Sequence, residues 1–346
     1  MKRPKVKCVV WDLDNTIWDG ILSEDYHVIL KPDILNIIKE LDRRGILQSI
    51  SSKNETQSAM DKLKEFEIDE YFLYPQINWN SKSENILKIR DHLNFGIDTF
   101  AFIDDQIFER EEVSYSLPDV LCIDAADYGG ILDMEEMVPK YVTEDSKQRR
   151  LLYMHDIVRK EKEEAYSGSA DEFLKTLNMK FILTQAVEED LKRVEELTVR
   201  THQLNSTGTV YSYDELADMI QKDEYEVFVA QLTDKYGDYG KIGISVVLKE
   251  KKIWNIKLLL MSCRVISRGV GSVMLNFIMK SALKKGVELR ADFIPTDKNR
   301  IMYISYKFAG FKEDGKEGEI IKLSADLDKI GPYPEYVEVM AEMIHG

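Results

Sequence analysis

Two hydrophobic periods alternate along the first 140 residues. Short runs of β-branched and aromatic residues recur between stretches whose apolar positions fall every three or four residues. That pattern predicts strands alternating with amphipathic helices. VKCVVWDL is continuous enough for a strand buried on both faces. PDILNIIKELDRRG opens with Pro and stops at Gly, as a helix does. ILQSIS, TFAFIDD and DVLCID read as further strands. NETQSAMDKLKEF and SENILKIRDHL read as helices, the first opening on an Asn cap. Strands separated by helices over residues 1–140 imply a parallel sheet with helices on both faces.

The pattern then changes twice. Residues 141–178 are highly charged, helical in period and broken at Ser167-Gly168-Ser169. They are expected to form a charged helical linker, the alternative being a segment packed across the domain boundary. Over residues 179–346, KFILTQA reads as a strand, and EEDLKRVEELTVRT and YSYDELADMIQ as helices. Three β-rich runs follow, EYEVFVAQL, KIGISVVLK and KIWNIKLLLMS, and then a Gly-rich turn opens the helix RGVGSVMLNFIMKSALKKG. VELRADFI, KNRIMYISYKFAG and GEIIKL add strand, helix and strand. The expected fold is an α+β domain after an α/β one.

Composition narrows the functional classes. A chain of 346 residues with 44% hydrophobic positions has material for two cores. No run approaches the roughly 20 uncharged apolar residues of a membrane helix. MKRPKVKCVV reads as a first strand and not as a signal peptide. Three cysteines without a CxxC pair imply reduced thiols and a cytoplasmic protein. The net charge of -15 opposes nucleic acid, and equally an acidic carrier protein or coenzyme A unless a local basic patch intervenes. Arg264, Arg268, Lys280, Lys284 and Lys285 are the candidates for such a patch.

Candidate chemistry sits where strands end. In WDLDNTIW, Asp12 and Asp14 fall at the carboxyl end of the first strand, where open α/β sheets bind ligands. Residues two apart on an extended chain face one side. Paired carboxylates there either bind a cation or divide nucleophile and acid roles. Asp-Asn-Thr is also ordinary turn chemistry, and the fragment alone does not decide. Ser51-Ser52-Lys53-Asn54 ends the second strand with hydroxyls for a phosphoryl oxygen. Lys82 stands in an irregular segment just before a helix, and Asp104 and Asp105 end another apolar strand as hard oxygen ligands for Mg²⁺.

In that order these features resemble the haloacid-dehalogenase-like phosphohydrolases. The resemblance implies a Rossmann-like domain in which Asp12 is the nucleophile forming an aspartyl-phosphate. Asp14 would protonate the leaving oxygen and later activate water. Ser52 and Lys82, with Lys53 and Asn54 beside them, would hold the phosphoryl group. Mg²⁺ would sit on Asp104 and Asp105, beside Asp12 and Asp14.

The second half carries a separate cluster. Cys263 follows the apolar run IKLLLMS, and Arg264 and Arg268 beside it would favour its thiolate. A buried structural cysteine is the competing reading; Cys8 and Cys122, inside expected strands, are read as core. The Arg-Gly turn opening a helix suits an anion. His202, Gln203 and Asn205 form a polar group at a helix end, where His202 is either a general base or a cap. His27, His92, His155 and His345 show no metal-ligand spacing, and Asp238 and Tyr239 lie in a hairpin-like turn.

Together WDLDNTIWDGIL, SSKNE, FIDDQIFEREEV, RTHQLNSTG, YGDYGKIG and MSCRVISRGV resemble the FkbH-like family across roughly residues 5–325. That family joins a phosphatase-type domain to an acetyltransferase-like (GNAT-type) one. The resemblance implies transfer of a glyceryl unit from 1,3-bisphosphoglycerate to the phosphopantetheine thiol of an acyl carrier protein, for polyketide-type biosynthesis. Cys263 would be the transient acyl carrier, with Arg264, Arg268, Gln203 and Asn205 binding substrate. In the pyrophosphate loop of ordinary acetyltransferases Gly269 and Gly271 fit, but Ile266 replaces Gln or Arg. Gly271 also stands where the family has an acidic residue. A phosphatase with a coenzyme A-dependent acyltransferase half is the alternative enzyme, and a binding scaffold without turnover the non-enzymatic one.

Overall fold

The computed structural model describes residues 3–25, 27–201 and 203–341. The chain divides into two compact units, Met1–Met154 and His155–Gly346. In the first, β1 (Cys8–Trp11) leads through a small hairpin, β2 (Trp18–Asp19) and β3 (Ile29–Leu30), into α1 (Ile34–Arg43). There follow β4 (Leu47–Ser52), α2 (Thr56–Glu65), β5 (Gln76–Ile77), α3 (Lys82–Leu93), β6 (Phe100–Asp104), α4 (Ile107–Ser116), β7 (Leu121–Asp124) and α5 (Glu144–Lys147). Among the described residues the sheet order is β5-β4-β1-β6-β7, with every pairing parallel. β1 is central and covered on both faces, which is why all four of its side chains are apolar and buried. Helix α1 buries Ile34, Ile37, Ile38 and Leu41, one stripe at helical spacing.

Two helix starts differ from the sequence expectation. Glu55, and not Asn54, caps α2, its carboxylate accepting from the amides of Gln57 and Ser58. Lys82 is the first residue of α3, with Ser81 as cap. It is therefore held by a helix and does not ride on irregular chain.

Helix α6 (Arg149–Glu164) carries the chain through the division between the units. The second unit continues with α7 (Ala170–Thr176), β8 (Met179–Gln185), α8 (Leu191–Arg200), α9 (Tyr213–Ile220), β9 (Tyr225–Asp234), β10 (Gly237–Lys249) and β11 (Ile253–Met261). Then come α10 (Gly271–Lys285), β12 (Glu288–Phe293), α11 (Arg300–Phe308), β13 (Phe311–Glu317), β14 (Ile320–Ala325) and β15 (Val337–Ala341). These strands form a mixed sheet in the order β13-β14-β12-β11-β10-β9-β8-β15, parallel at β11/β12 and β15/β8 and antiparallel elsewhere. The fold class is as expected: α/β with a parallel, Rossmann-like sheet, followed by an α+β domain.

Residues 141–178 are helical but differ from the solvated linker expected. Leu152 and Tyr153 are buried in the first unit, where Tyr153 meets Phe95 edge-on. Phe173, Leu174 and Leu177 belong to the second unit's core, and Arg159 is fully buried there. Apolar residues at helical spacing inside a charged segment outweigh its mean polarity.

The parallel strands β11 and β12 pair only through Ile253–Ile256 and Glu288–Ala291. Beyond that point residues 204–206 fill the gap. The Ser206 amide donates to Leu259 O, Leu259 N donates to Ser206 Oγ, Met261 N to Leu204 O, and Ile294 N to Ser206 O.

Candidate functional site

Asp12 is the first residue past β1. Its amide donates to Ile103 O of the neighbouring strand at 2.9 Å, and its side chain is buried. Parallel strands bring their carboxyl ends to one edge, so Asp104, ending β6, and Asp105 lie alongside. One oxygen from each of Asp12, Asp104 and Asp105 falls within 4.8 Å of the others. Lys82 reaches in from the start of α3. Its ammonium donates to Asp12 Oδ1 and to Ser51 O, the latter at 2.8 Å, and lies 2.9 Å from Asp104 Oδ2.

One ammonium therefore faces three carboxylates in a buried place. Burial pushes the Asp12 carboxyl up to about 6, with Lys82 opposing the rise and Asp104 adding to it. Burial likewise raises Asp104, against the pull of Lys82. Burial and the charge of Asp12 raise Asp105. For Lys82, desolvation disfavours the charge, but the two aspartates outweigh it and the net shift is upward. The charge left over suits a divalent cation with hard oxygen ligands. Asp105 Oδ1 is buried with no hydrogen-bond partner, an acceptor that a bound cation would satisfy. The residues fit Mg²⁺.

Asp14 lies apart from that cluster. β1 ends at Trp11, so Asp14 lies past the strand, just before Asn15 with its left-handed φ of 55°. Asp14 Oδ1 accepts from Trp18 Nε1 and the Leu22 amide, and Oδ2 from Asn54 Nδ2 at 3.0 Å. Its carboxylate, expected among the metal ligands, is engaged by these three donors and stands outside the group formed by Asp12, Asp104 and Asp105. Its link to Asp12 is indirect: Asn54 Nδ2 also donates to Ser52 Oγ at 3.1 Å, and Ser52 hydrogen-bonds Asp12. Lys53 turns away to Glu109 of α4 at 2.6 Å.

In the second unit Cys263 is half-buried and opens a 3-10 turn, Cys263–Arg268. Asn205 bridges Leu260 of β11 in antiparallel register, three residues before Cys263, and Gln203 lies in the turn that precedes the bridge. His202 lies outside the described residues. Asn205 itself is buried, its Oδ1 accepting from the amides of Thr207 and Gly208, so its side chain is spent on a turn and not on substrate. Arg264 donates to Tyr239 O at 2.7 Å and lies 3.8 Å from Asp156 Oδ2, while Arg268 pairs with Glu163 at 3.0 Å. Both guanidiniums, expected on substrate, thus face carboxylates of α6. The basic patch is also not one patch. Arg264 and Arg268 precede α10, whereas Lys284 and Lys285 end it, on the order of 20 Å away for 15 residues at 1.5 Å each. Cys8 is buried and Cys122 half-buried, and burial pushes both thiols up.

The buried group around Arg159 has no signature in the hydrophobic pattern. Its guanidinium pairs with Asp234, both side chains fully buried, and lies 3.6 Å over the Tyr239 ring. The partners are 75 residues apart, beyond any local pattern. Among the described residues no helix is long and apolar enough to cross a membrane.

No protein-family model and no curated protein sequence matches the chain. Solved structures similar to parts of it include the N-terminal part of protein BF1531 from Bacteroides fragilis, containing a phosphatase domain and complexed with Mg. The identity is 30% over 36% of this chain, with a TM-score of 0.31, and the match spans 38% of that chain. The PaiA N-acetyltransferase from Thermoplasma acidophilum, in complex with coenzyme A, is 16% identical over 42% of this chain and 98% of its own, with a TM-score of 0.35. The ribosomal-protein-S18-alanine N-acetyltransferase from Escherichia coli is 16% identical over 42% and 92%, with a TM-score of 0.34.

Proposed function

We propose that the chain is a Mg²⁺-dependent phosphatase joined to an acyltransferase, and that it moves a glyceryl unit from 1,3-bisphosphoglycerate to the phosphopantetheine thiol of an acyl carrier protein. The observation that carries the phosphoryl half is the buried group of Asp12, Asp104, Asp105 and Lys82 at the carboxyl edge of a parallel sheet. Mg²⁺ held by these three carboxylates supplies charge neutralisation to a bound phosphoryl group. Asp12 attacks phosphorus, forming the aspartyl-phosphate as the bond to the leaving oxygen breaks. Asp14 delivers a proton to that oxygen and then takes one from the water that releases phosphate. Ser52 and Lys82 donate hydrogen bonds to the phosphoryl oxygens.

The acyl half rests on Cys263. Its thiolate attacks the acyl phosphate carbonyl, phosphate leaves, and a thioester forms. The carrier thiol then displaces Cys263. The Asp12 site removes the remaining phosphoester. The half-buried position of Cys263, at the start of the turn that leads into α10, supports this reading.

The test is to incubate the protein with Mg²⁺, 1,3-bisphosphoglycerate and a phosphopantetheinylated carrier and to take intact masses of both proteins. A glyceryl adduct on the carrier, lost in Asp12→Asn or Cys263→Ala, is the expected result. Phosphate release without an adduct, given a competent carrier, sinks the acyl transfer and leaves a phosphatase. Loading that survives Cys263→Ala removes the enzyme thioester.

A further inference from the structure

Helix α11 buries one apolar face and exposes another. Met302 and Tyr306, four residues apart, are buried in the core of the second unit. On the opposite side Arg300, Ile301, Ile304, Lys307 and Phe308 are all exposed. At 3.6 residues per turn these five positions form one continuous outer face. Ile301 is 45% exposed, Ile304 41% and Phe308 89%. Single exposed apolar residues are ordinary, but three at i, i+3 and i+7 make a stripe of the kind a helix turns toward a packing partner.

Charge says what kind of partner fits. Arg300 and Lys307 run along one edge of the stripe, Ser305 stands at the other, and α11 contains no acidic residue. Among the described residues neither cation forms an ion pair. Glu313 of β13 is taken up by the Tyr303 hydroxyl. A second copy of the chain suits this face poorly. Laid antiparallel, two-fold symmetry sets the cationic edges against each other; laid parallel, it offers each of them Ser305 and no acid. A helix with an apolar stripe edged by carboxylates meets both the stripe and the cations.

The face is also joined to the chain beside Cys263. Asn299, buried just before α11, donates from Nδ2 to Asn205 O at 2.9 Å and to Ile294 O at 2.8 Å. Asn205 in turn bridges Leu260 of β11, whose strand leads into Cys263. We propose that the outer face of α11 is the docking surface for the acyl carrier protein, seating an acidic-edged helix of the carrier on Ile301, Ile304 and Phe308. This rests on the acyl-transfer reading and adds to it the place where the partner is held. Two cations do not reverse a net charge of -15; they act at contact, within a Debye length of about 8 Å, and choose the partner while the stripe carries the affinity.

The experiment measures binding of fluorescently labelled, phosphopantetheinylated acyl carrier protein from the same organism to the full chain, and loading of that carrier and of free pantetheine from 1,3-bisphosphoglycerate. Ile304→Glu and Phe308→Glu should each raise the carrier Kd at least about tenfold while leaving the melting temperature and the loading of free pantetheine unchanged. Arg300→Glu with Lys307→Glu should raise the Kd by more than Lys251→Glu with Lys252→Glu, which makes the same charge change in the exposed turn between β10 and β11. An unchanged Kd in Ile304→Glu and Phe308→Glu overturns the proposal, as do equal effects of the two charge reversals. A wild-type dimer that Ile304→Glu dissolves, with no carrier bound, overturns it in favour of a second copy. Carrier binding that depends on α11, with neither thiol loaded by the wild type, removes the acyl-transfer reading and upholds the docking surface.

Discussion

Lys82 holds its ammonium between Asp12 and Asp104 with almost no exposure to water. Lys82→Met leaves those carboxylates buried and uncompensated, a change that costs about 3–5 kcal/mol. The pH dependence fixes the sign. Burial pushes the Asp12 carboxyl up to about 6 in the fold, against 3.8 for an ordinary aspartate, so the folded state holds its proton more tightly than the unfolded one. The penalty from its charge is therefore fully present above about pH 6 and fades as pH falls toward 3.8. Denaturant unfolding of Lys82→Met should show a large deficit at pH 7.5 and a smaller one at pH 5. A deficit of equal size at both would contradict this charge balance. By the same logic, Asp12→Asn should lower phosphate release at least about a thousandfold while making the metal-free protein more stable at pH 7.5. Mg²⁺ at a hundred times its Kd should add about 2.7 kcal/mol to wild-type stability. Asp104→Asn should abolish most of that gain in a thermal melt.

Among the elements, α6 and the turn before α10 carry the sharpest expectations. Arg159 and Asp234 form a fully buried pair, and Arg159 also donates to Gly237 O and Asp156. Arg159→Met strands two carboxylates and should lower the stability of the second unit by about 3–5 kcal/mol, read by chemical denaturation. Gly269 has φ 65° and a Cβ built on it would clash with Tyr336 Oη, whereas Gly271 is in open space at the first turn of α10. Gly269→Ala should destabilise by about 1 kcal/mol or more, and Gly271→Ala should be neutral or stabilising by up to about 1 kcal/mol. The elements that patterning revealed are those with a full apolar stripe, such as α1 and β1. β13 escaped notice because FKEDGKE buries only Phe311 and lies at the sheet edge. The candidate site was legible where residues end or directly follow strands, as Asp104 and Asp12 do. It was not legible at Asp14, whose carboxylate accepts from Trp18, Leu22 and Asn54, nor at Arg264 and Arg268, whose carboxylate partners come from α6.

For the whole molecule, the net charge of -15 sets how a charged partner approaches. The expected basic patch is divided by the length of α10, so an acidic carrier meets a repulsive field with little local relief. Loading should accelerate as ionic strength rises from low to physiological, because salt screens like charges. A rate that falls with added salt would point to a basic docking surface instead. Helix α6 has a practical consequence for dissecting the protein. A cut at residue 140 would strip the first unit of Arg149, which donates to Gly45 O, and of Leu152 and Tyr153. A start at residue 179 would strip the second of Arg159, Phe173 and Leu174. Fragments made at those seams should precipitate or need refolding aids, and the genetic separation of the two proposed activities is better attempted by point mutation than by scissors.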